Sequence, residues 1–217
     1  MNIGIVTTWF ERGAAYVSKA YTDVLSQDNN VFIYARGGEE NSKGDPRWNL
    51  PNVTYGKTYS PLDPRHQPFT KYTRNYVDML HFEGWLSAND MDLVIFNEER
   101  GVSSLRRTKK LGYTIGAYVD YYTNDTLNQF SIYDFLLCNT KRHYSVFRGF
   151  PNTIYIPWGT DITTFCPHIR NNRSTGEGTV RFFHSAGYGG VNNRKGTDLL
   201  VKAFQKIRGD CKLIIHS

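Results

Sequence analysis

Residues 1–35 read MNIGIVTTWFERGAAYVSKAYTDVLSQDNNVFIYA. Residues 3–6 form a continuous apolar run, the pattern of a strand buried on both faces. Gly13 follows, then apolar residues at helical spacing: Ala14, Val17, Ala20 with Tyr21, and Val24 with Leu25. Residues 31–35 are a second strand. A strand, a helix and a strand within about 35 residues predict an α/β fold built on a parallel, doubly wound sheet.

The same alternation continues outward. Residues 37–68 are rich in Gly, Asn, Asp and Pro and read as a long excursion with one short strand near 53–55. A helix is expected from Phe69 to about Leu86, with a stripe at Phe69, Tyr72, Tyr76, Met79 with Leu80, and residues 83–86. Residues 93–96, 113–119, 135–138 and 153–156 read as further strands. Val102, Leu105 and Leu111 mark a helix, and residues 140–147 another. Residues 166–178 are polar and turn-rich, the best linker in the chain. A second strand–helix–strand follows in VRFFHSAGYGGVNNRKGTDLLVKAFQKIRGDCKLIIHS, residues 180–217.

Composition narrows the function classes. Lys plus Arg is 26 and Asp plus Glu is 20, so the net charge is +6. That is a mild bias toward anionic partners such as sugar nucleotides, acidic glycans or membrane surfaces. It is too weak to argue for nucleic acid, and no long basic run is present. The densest cluster, Arg106, Arg107, Lys109 and Lys110, reads as a solvated helix face. Cys138, Cys166 and Cys211 are odd in number and far apart. They read as reduced, buried thiols of a cytoplasmic protein, with no disulfide framework and no metal site. The first residues form a strand without a leader pattern, and no run approaches the roughly 18 apolar residues of a membrane span.

Parallel strands bring their functional loops together at the carboxyl edge. Those loops hold Trp9, Phe10, Glu11, Arg12 and Gly13, then Asn97, Glu98 and Glu99, then Asp120, Tyr121 and Tyr122, then Asn139 and Thr140, then Trp158 and Gly159. Carboxylates accept hydroxyl hydrogen bonds, and ring faces cover the C–H faces of a sugar. Asp120 and Glu98 are the catalytic candidates. Trp9, Phe10, Glu99, Tyr121 and Trp158 are the acceptor-binding candidates. Glu98 and Glu99 are adjacent, so on an extended segment they point apart. The turn from Gly187 to Lys195 lacks the third glycine of GxGxxG, because Asn192 stands there. A Walker A loop would need glycine at Arg194. What stays is a glycine-rich turn with two cations before a helix, suited to a diphosphate. No HExxH and no GxSxG is present.

Taken together, the chain resembles the GT-B glycosyltransferases of which family 4 is the type. NIGIVTTWFERGAA looks like the opening strand and glycine turn of that family's acceptor-side domain. FLLCNTKRHYSVFRGF and TIYIPWGTDITTFCP are similar to the run that closes it, where P-N-G-V-D reads Pro157–Trp158–Gly159–Thr160–Asp161. FFHSAGYGGVNNRKGTDLLVKAF resembles the opening of the donor-side domain. The resemblance implies two Rossmann-like domains and sugar transfer from a nucleotide diphosphate sugar to a hydroxyl acceptor. It implies retention of configuration, no metal, and no cofactor beyond the nucleotide sugar as co-substrate. Arg194 and Lys195 would contact the donor diphosphate beside Gly189 and Gly190, and Gly13 would face the transferred sugar or the phosphates. The His often found at the end of the mid-domain strand is replaced by Val119 or Asp120. The family's E-x7-E segment is expected beyond Ser217.

The expected division is residues 1–165 as the acceptor-side domain, 166–178 as linker and 179–217 as the start of the donor-binding domain. The chain by itself is expected to be inactive, and residues 179–217 are expected to pair with a second copy. The alternatives are a non-catalytic glycan-binding or scaffold domain on the same fold, and a sugar-nucleotide epimerase, against which the missing glycine fingerprint argues.

Overall fold

The structure, a computed structural model, describes residues 1–36, 42–57, 77–99, 101–166, 179–186 and 195–216. The chain divides into two compact units, Met1–Thr160 and Asp161–Ser217.

The first unit is built on seven strands: β1 (Asn2–Thr7), β2 (Asn30–Ala35), β3 (Val53–Tyr55), β4 (Leu93–Asn97), β5 (Thr114–Val119), β6 (Phe135–Cys138) and β7 (Thr153–Tyr155). Every pairing is parallel, and the spatial order is β3-β2-β1-β4-β5-β6-β7. The chain winds one way from β1 to β3 and the other way from β4 to β7. This is the doubly wound Rossmann-like sheet that the opening residues predict. The apolar runs exist because both faces are covered. Ile3, Ile5, Val31 and Ile95 are buried on the face where Tyr21 and Leu25 of α1 (Gly13–Leu25) pack. Val6, Tyr34, Val94, Phe96, Ile115 and Ala117 are buried on the other, with Phe82, Trp85 and Leu86 of α2 (Met79–Ala88). Leu105 of α3 (Val102–Lys110) and Phe147 of α4 (Lys141–Phe147) complete that core.

Three details differ from the sequence reading. The long helix expected from Phe69 begins at Met79; the expected stripe at Phe69, Tyr72 and Tyr76 lies outside the described residues. Asp78 has an extended backbone, and its side chain accepts the His81 N–H at 2.8 Å. That cap fixes the helix start. The phase it sets buries Phe82, Trp85 and Leu86 and leaves Leu80 84% exposed. Second, the excursion after β2 contains a core anchor. Trp48 is buried and meets Trp9 edge-on at 5.3 Å. One Trp in a turn-rich segment carries no periodicity and so is not recognisable as core from its neighbours. Third, the segment between β5 and β6 makes consecutive 3₁₀ turns over Asn124–Ile132, closed by a reciprocal Thr123–Thr126 cap.

Two members of the basic cluster on α3, Arg107 and Lys109, are paired. Arg107 makes two 2.8 Å hydrogen bonds to the Glu83 carboxylate, which hold that carboxyl below its usual range. Lys109 lies 2.9 Å from Asp134. Of the three thiols, Cys138 is buried, Cys211 is half-buried and Cys166 is exposed. Burial of all three was the expectation. Cys166 misses it: it opens the polar, turn-rich stretch 166–178, whose sequence offers no apolar run beside it.

In β5, Gly116 occupies a position where a Cβ would run into the Phe135 ring on the neighbouring strand. Gly116→Ala is therefore expected to cost about 1–3 kcal/mol through overpacking. Urea unfolding of the variant against the wild type measures it; an unchanged midpoint would show that Phe135 swings away freely.

The second unit holds β8 (Val180–Ser185) parallel to β9 (Cys211–His216), with α5 (Thr197–Phe204) between them in sequence. Phe182 packs edge-on against Phe204 at 5.8 Å. Gly196, the residue before α5, has φ +66, the left-handed region where glycine is unstrained. The His184 ring bonds the buried Thr197 hydroxyl at 2.8 Å, which ties the end of β8 to the start of α5. Among the described residues no helix is long and apolar enough to cross a membrane.

Candidate functional site

Between β1 and β4 the sheet reverses its winding, and it is at the carboxyl ends of strands at such a switch point that open α/β sheets bind ligands. Arg12 and Gly13 reach it from β1, Glu98 from β4, and Asp120 from the end of neighbouring β5. Helix α1 is anchored there by a buried polar chain. The Asn97 amide donates to the Ala14 carbonyl and the Ser18 hydroxyl, both at 2.8 Å, and Ser18 donates to Thr7 Oγ1 at 2.8 Å. The start of α1 is thereby held against the ends of β1 and β4.

The centre of the site is a pair of carboxyl groups. Asp120 lies beside Glu98, close enough for the Glu98 charge to act on it. Asp120 is pushed up to about 6, first by desolvation and then by the charge of Glu98; backbone N–H groups at Tyr121 and Asp120 pull the other way. Glu98 is also 3.2 Å from the Arg12 guanidinium, which is half exposed. Burial raises the Tyr118 phenol above its usual range, with Tyr21, Asp120 and Glu98 adding to it.

A second ionic group lies on the other face of the sheet. The Arg36 guanidinium and the Glu99 carboxylate are 0% and 2% exposed and lie 4.0 Å apart. Arg36 Nη1 donates to the Glu98 carbonyl at 2.7 Å. Glu99 Oε1 accepts the Gly101 N–H just before α3. The Tyr133 phenol is raised, chiefly by burial and then by Glu99 and Asp120.

Glu98 and Glu99 thus diverge, as adjacent residues should, but onto unexpected faces. In regular alternation Glu98 would follow Phe96, and Glu99 would follow Asn97 toward α1. Glu98 has φ +55, a left-handed backbone that interrupts the alternation. Glu98 turns to Asp120, and Glu99 to Arg36.

The other expected site residues divide. Trp9 is 2% exposed, its ring against Trp48 and its N–H donated to the Trp48 carbonyl at 2.6 Å. It is a core residue and offers no face to an acceptor, and neither does the buried Glu99 side chain. Phe10 is half-buried, while Tyr121 and Trp158 are exposed; the Trp158 ring rests edge-on against Tyr118 at 5.8 Å. Gly13 is exposed, and a Cβ built on it would meet nothing within 4 Å. Lys195 is exposed just before α5. Arg194, Gly189 and Gly190 lie outside the described residues.

Arg36 and His143 were not singled out from the sequence. Arg36 directly follows an apolar strand on the same edge, so the rule that selected Glu98 also reaches it. His143 sits in the first turn of α4, its Nδ1 3.2 Å from Asn139 Oδ1. Burial lowers its pKa, opposed by a hydrogen bond to the Val119 backbone. It ties the ends of β5 and β6 together beside Asp120, a role invisible to a search for ligand spacing.

Comparison with solved structures places this geometry in context. The chain matches the lipopolysaccharide outer core galactosyltransferase WaaB in its apo form with a TM-score of 0.63 and 15% identity, over 99% of this chain and 60% of that one. It matches MurG of Acinetobacter baumannii with a TM-score of 0.53 and 11% identity, over 99% and 66%. It matches UGT2 of Phytolacca americana, complexed with UDP-2-fluoroglucose and pterostilbene, with a TM-score of 0.58 and 11% identity, over 100% and 71%. These are likenesses of fold. The α/β Rossmann-like architecture is the one found in GT-B glycosyltransferase structures. This chain spans 60% of the length of the first of them. No protein-family model and no curated protein matches the sequence.

Proposed function

We propose that this protein transfers a sugar from a nucleotide diphosphate sugar to a hydroxyl acceptor. The observation that carries the reading is the Asp120–Glu98 carboxyl pair at the carboxyl edge of a sheet whose fold such enzymes share. A carboxylate whose pKa is raised toward neutrality is suited to take a proton from an alcohol. In the reaction the acceptor O–H proton passes to Asp120. The acceptor oxygen bonds the anomeric carbon on the face from which the diphosphate departs, as the bond from that carbon to the diphosphate breaks, and the nucleoside diphosphate leaves. Tyr121, Trp158 and Phe10 would cover the apolar faces of the acceptor. Gly13 would pack against the donor, and Lys195 with Arg194 would meet the charge on its diphosphate. Transfer without a metal and with retention, as the family 4 resemblance implies, belongs to the proposal. Activity in EDTA and the anomeric coupling constant of the product test these two features.

A glycan-binding domain on the same fold would use its carboxylates only as acceptors. It would have no need of a carboxyl raised toward neutrality by a neighbouring carboxylate, so this feature favours the enzyme. Self-association through residues 179–217 also belongs to the proposal, supported by the exposed Phe183 and Ile214; light scattering tests it.

Calorimetric titration with UDP- and GDP-sugars tests the donor assignment. Lys195→Ala is expected to weaken binding by about 10- to 150-fold, the loss of one charge-assisted contact of roughly 1.5–3 kcal/mol. Binding of neither sugar nucleotide, or binding indifferent to the substitution, would overturn the diphosphate role. Gly13→Ala separates packing from folding. The added methyl meets no protein atom, so the unfolding midpoint should hold or rise. Donor affinity should fall by roughly 10-fold if the sugar or its phosphates rest there. Unchanged affinity would remove Gly13 from the site.

A further inference from the structure

The Glu98 backbone is unusual. Three described non-glycine residues have positive φ: Asp90, Asn152 and Glu98. Asp and Asn visit the left-handed region readily because their short side chains bond locally, whereas Glu has no such compensation. Something outside Glu98 must hold it there. The Arg36 guanidinium, fully buried, donates to the Glu98 carbonyl at 2.7 Å. Arg36 is itself fixed: its backbone N–H bonds the Thr7 carbonyl at 2.9 Å, and its charge lies opposite the buried Glu99. Glu99 in turn accepts the Gly101 N–H, so the residues on both sides of the turn are tied down.

We propose that the buried Arg36–Glu99 pair is a positioning unit: it holds Glu98 in the left-handed conformation and so keeps the Glu98 carboxylate against Asp120. The inference rests, for its functional meaning, on the reading of Asp120 as proton acceptor. Its geometry does not. Without the pair, the segment after β4 relaxes to extended backbone. Regular alternation then carries the Glu98 side chain to the opposite face, away from Asp120. Arg36 and Glu99 touch no substrate; they act through the Glu98 backbone.

The groups that shift Asp120 make the test specific. They are burial, Glu98 and the backbone N–H groups of Tyr121 and Asp120 itself. The other ionisable groups around it are Tyr118, Tyr133 and His143, and Arg12 lies beside Glu98. Glu98→Gln sets the size of the change expected when the Glu98 charge leaves Asp120, so a shift of that size on altering the Arg36–Glu99 pair reports on Glu98.

The experiment is a carbon-detected NMR titration of the side-chain carboxyls of the whole chain, with no ligand added. Arg36→Gln alone strands the Glu99 charge in the interior, so the double substitution Arg36→Gln with Glu99→Gln removes both charges together. Arg36→Lys, which keeps the charge but not the planar fork, takes its place if the double variant does not fold. Glu98→Gln is the reference for loss of the neighbouring charge. In the wild type, Asp120 is expected to titrate near 6. In the double variant its midpoint should fall by about one pH unit, toward that of Glu98→Gln. A variant that melts earlier while Asp120 keeps the wild-type midpoint would show a merely structural pair and overturn the proposal. Because the readout needs no substrate, absence of sugar transfer would sink the proposed function and leave this result standing.

Discussion

Asp120→Asn is expected to lower sugar transfer by about 10²- to 10⁴-fold, the usual contribution of a positioned proton acceptor. The amide keeps the size of the side chain and its hydrogen bonds but cannot take the hydroxyl proton. In the wild type, kcat/KM should rise with pH through about 6 and level above it, because the base works only when deprotonated. Glu98→Gln should move that rising limb to lower pH, since the charge that helps hold the proton on Asp120 is gone. The pKa of Asp120 is raised in the folded state, so its ionisation opposes folding. That opposition is absent below the unfolded value and grows as pH rises through about 6. Asp120→Asn should therefore be more stable relative to the wild type at pH 8 than at pH 5. Transfer rates within tenfold of the wild type would remove Asp120 from the chemistry. A flat stability difference across this pH range would contradict its burial.

Phe82→Ala is expected to cost about 3–5 kcal/mol, the range for truncating a fully buried aromatic. Phe82 has no exposed surface, and its ring contacts Tyr34 at 5.1 Å, Trp85 at 5.7 Å and Phe96 at 6.4 Å. These rings join α2 to β2 and β4, so the cavity would open where helix meets sheet. Leu80→Ala, two residues earlier on the same helix, should stay within about 0.5 kcal/mol, because its side chain is already in water. Urea unfolding of both variants measures the contrast. Similar costs at the two positions would mean that α2 is rotated from the phase its Asp78 cap sets.

Leu80 also marks where sequence reading stops. Its place in an apolar stripe followed from a helix assumed to start at Phe69. A side-chain cap at Asp78 fixes where the helix starts, and the start fixes which residues face inward. Trp9 failed for a related reason. It sits on the carboxyl edge, where ligand-facing residues gather, but Trp48, thirty-nine residues away, covers its ring and accepts its N–H. A local pattern shows where a residue stands along the chain, not what a distant segment lays over it.

Strand and helix order and parallel pairing were legible in the sequence. Each depends on short-range regularities: apolar runs for strands covered on both faces, helical spacing for the connections, and a handedness that puts strand ends together. The pairing of Asp120 with Glu98 was not legible, although both residues were on the rim. It needs β4 and β5 in register, a left-handed turn at Glu98 that exchanges the faces of two adjacent glutamates, and a buried arginine just after β2 to hold that turn. Such a juxtaposition joins residues dozens of positions apart, and one backbone angle decides it. Only the tertiary structure contains that angle, because it is held by contacts that exist only once the sheet has formed.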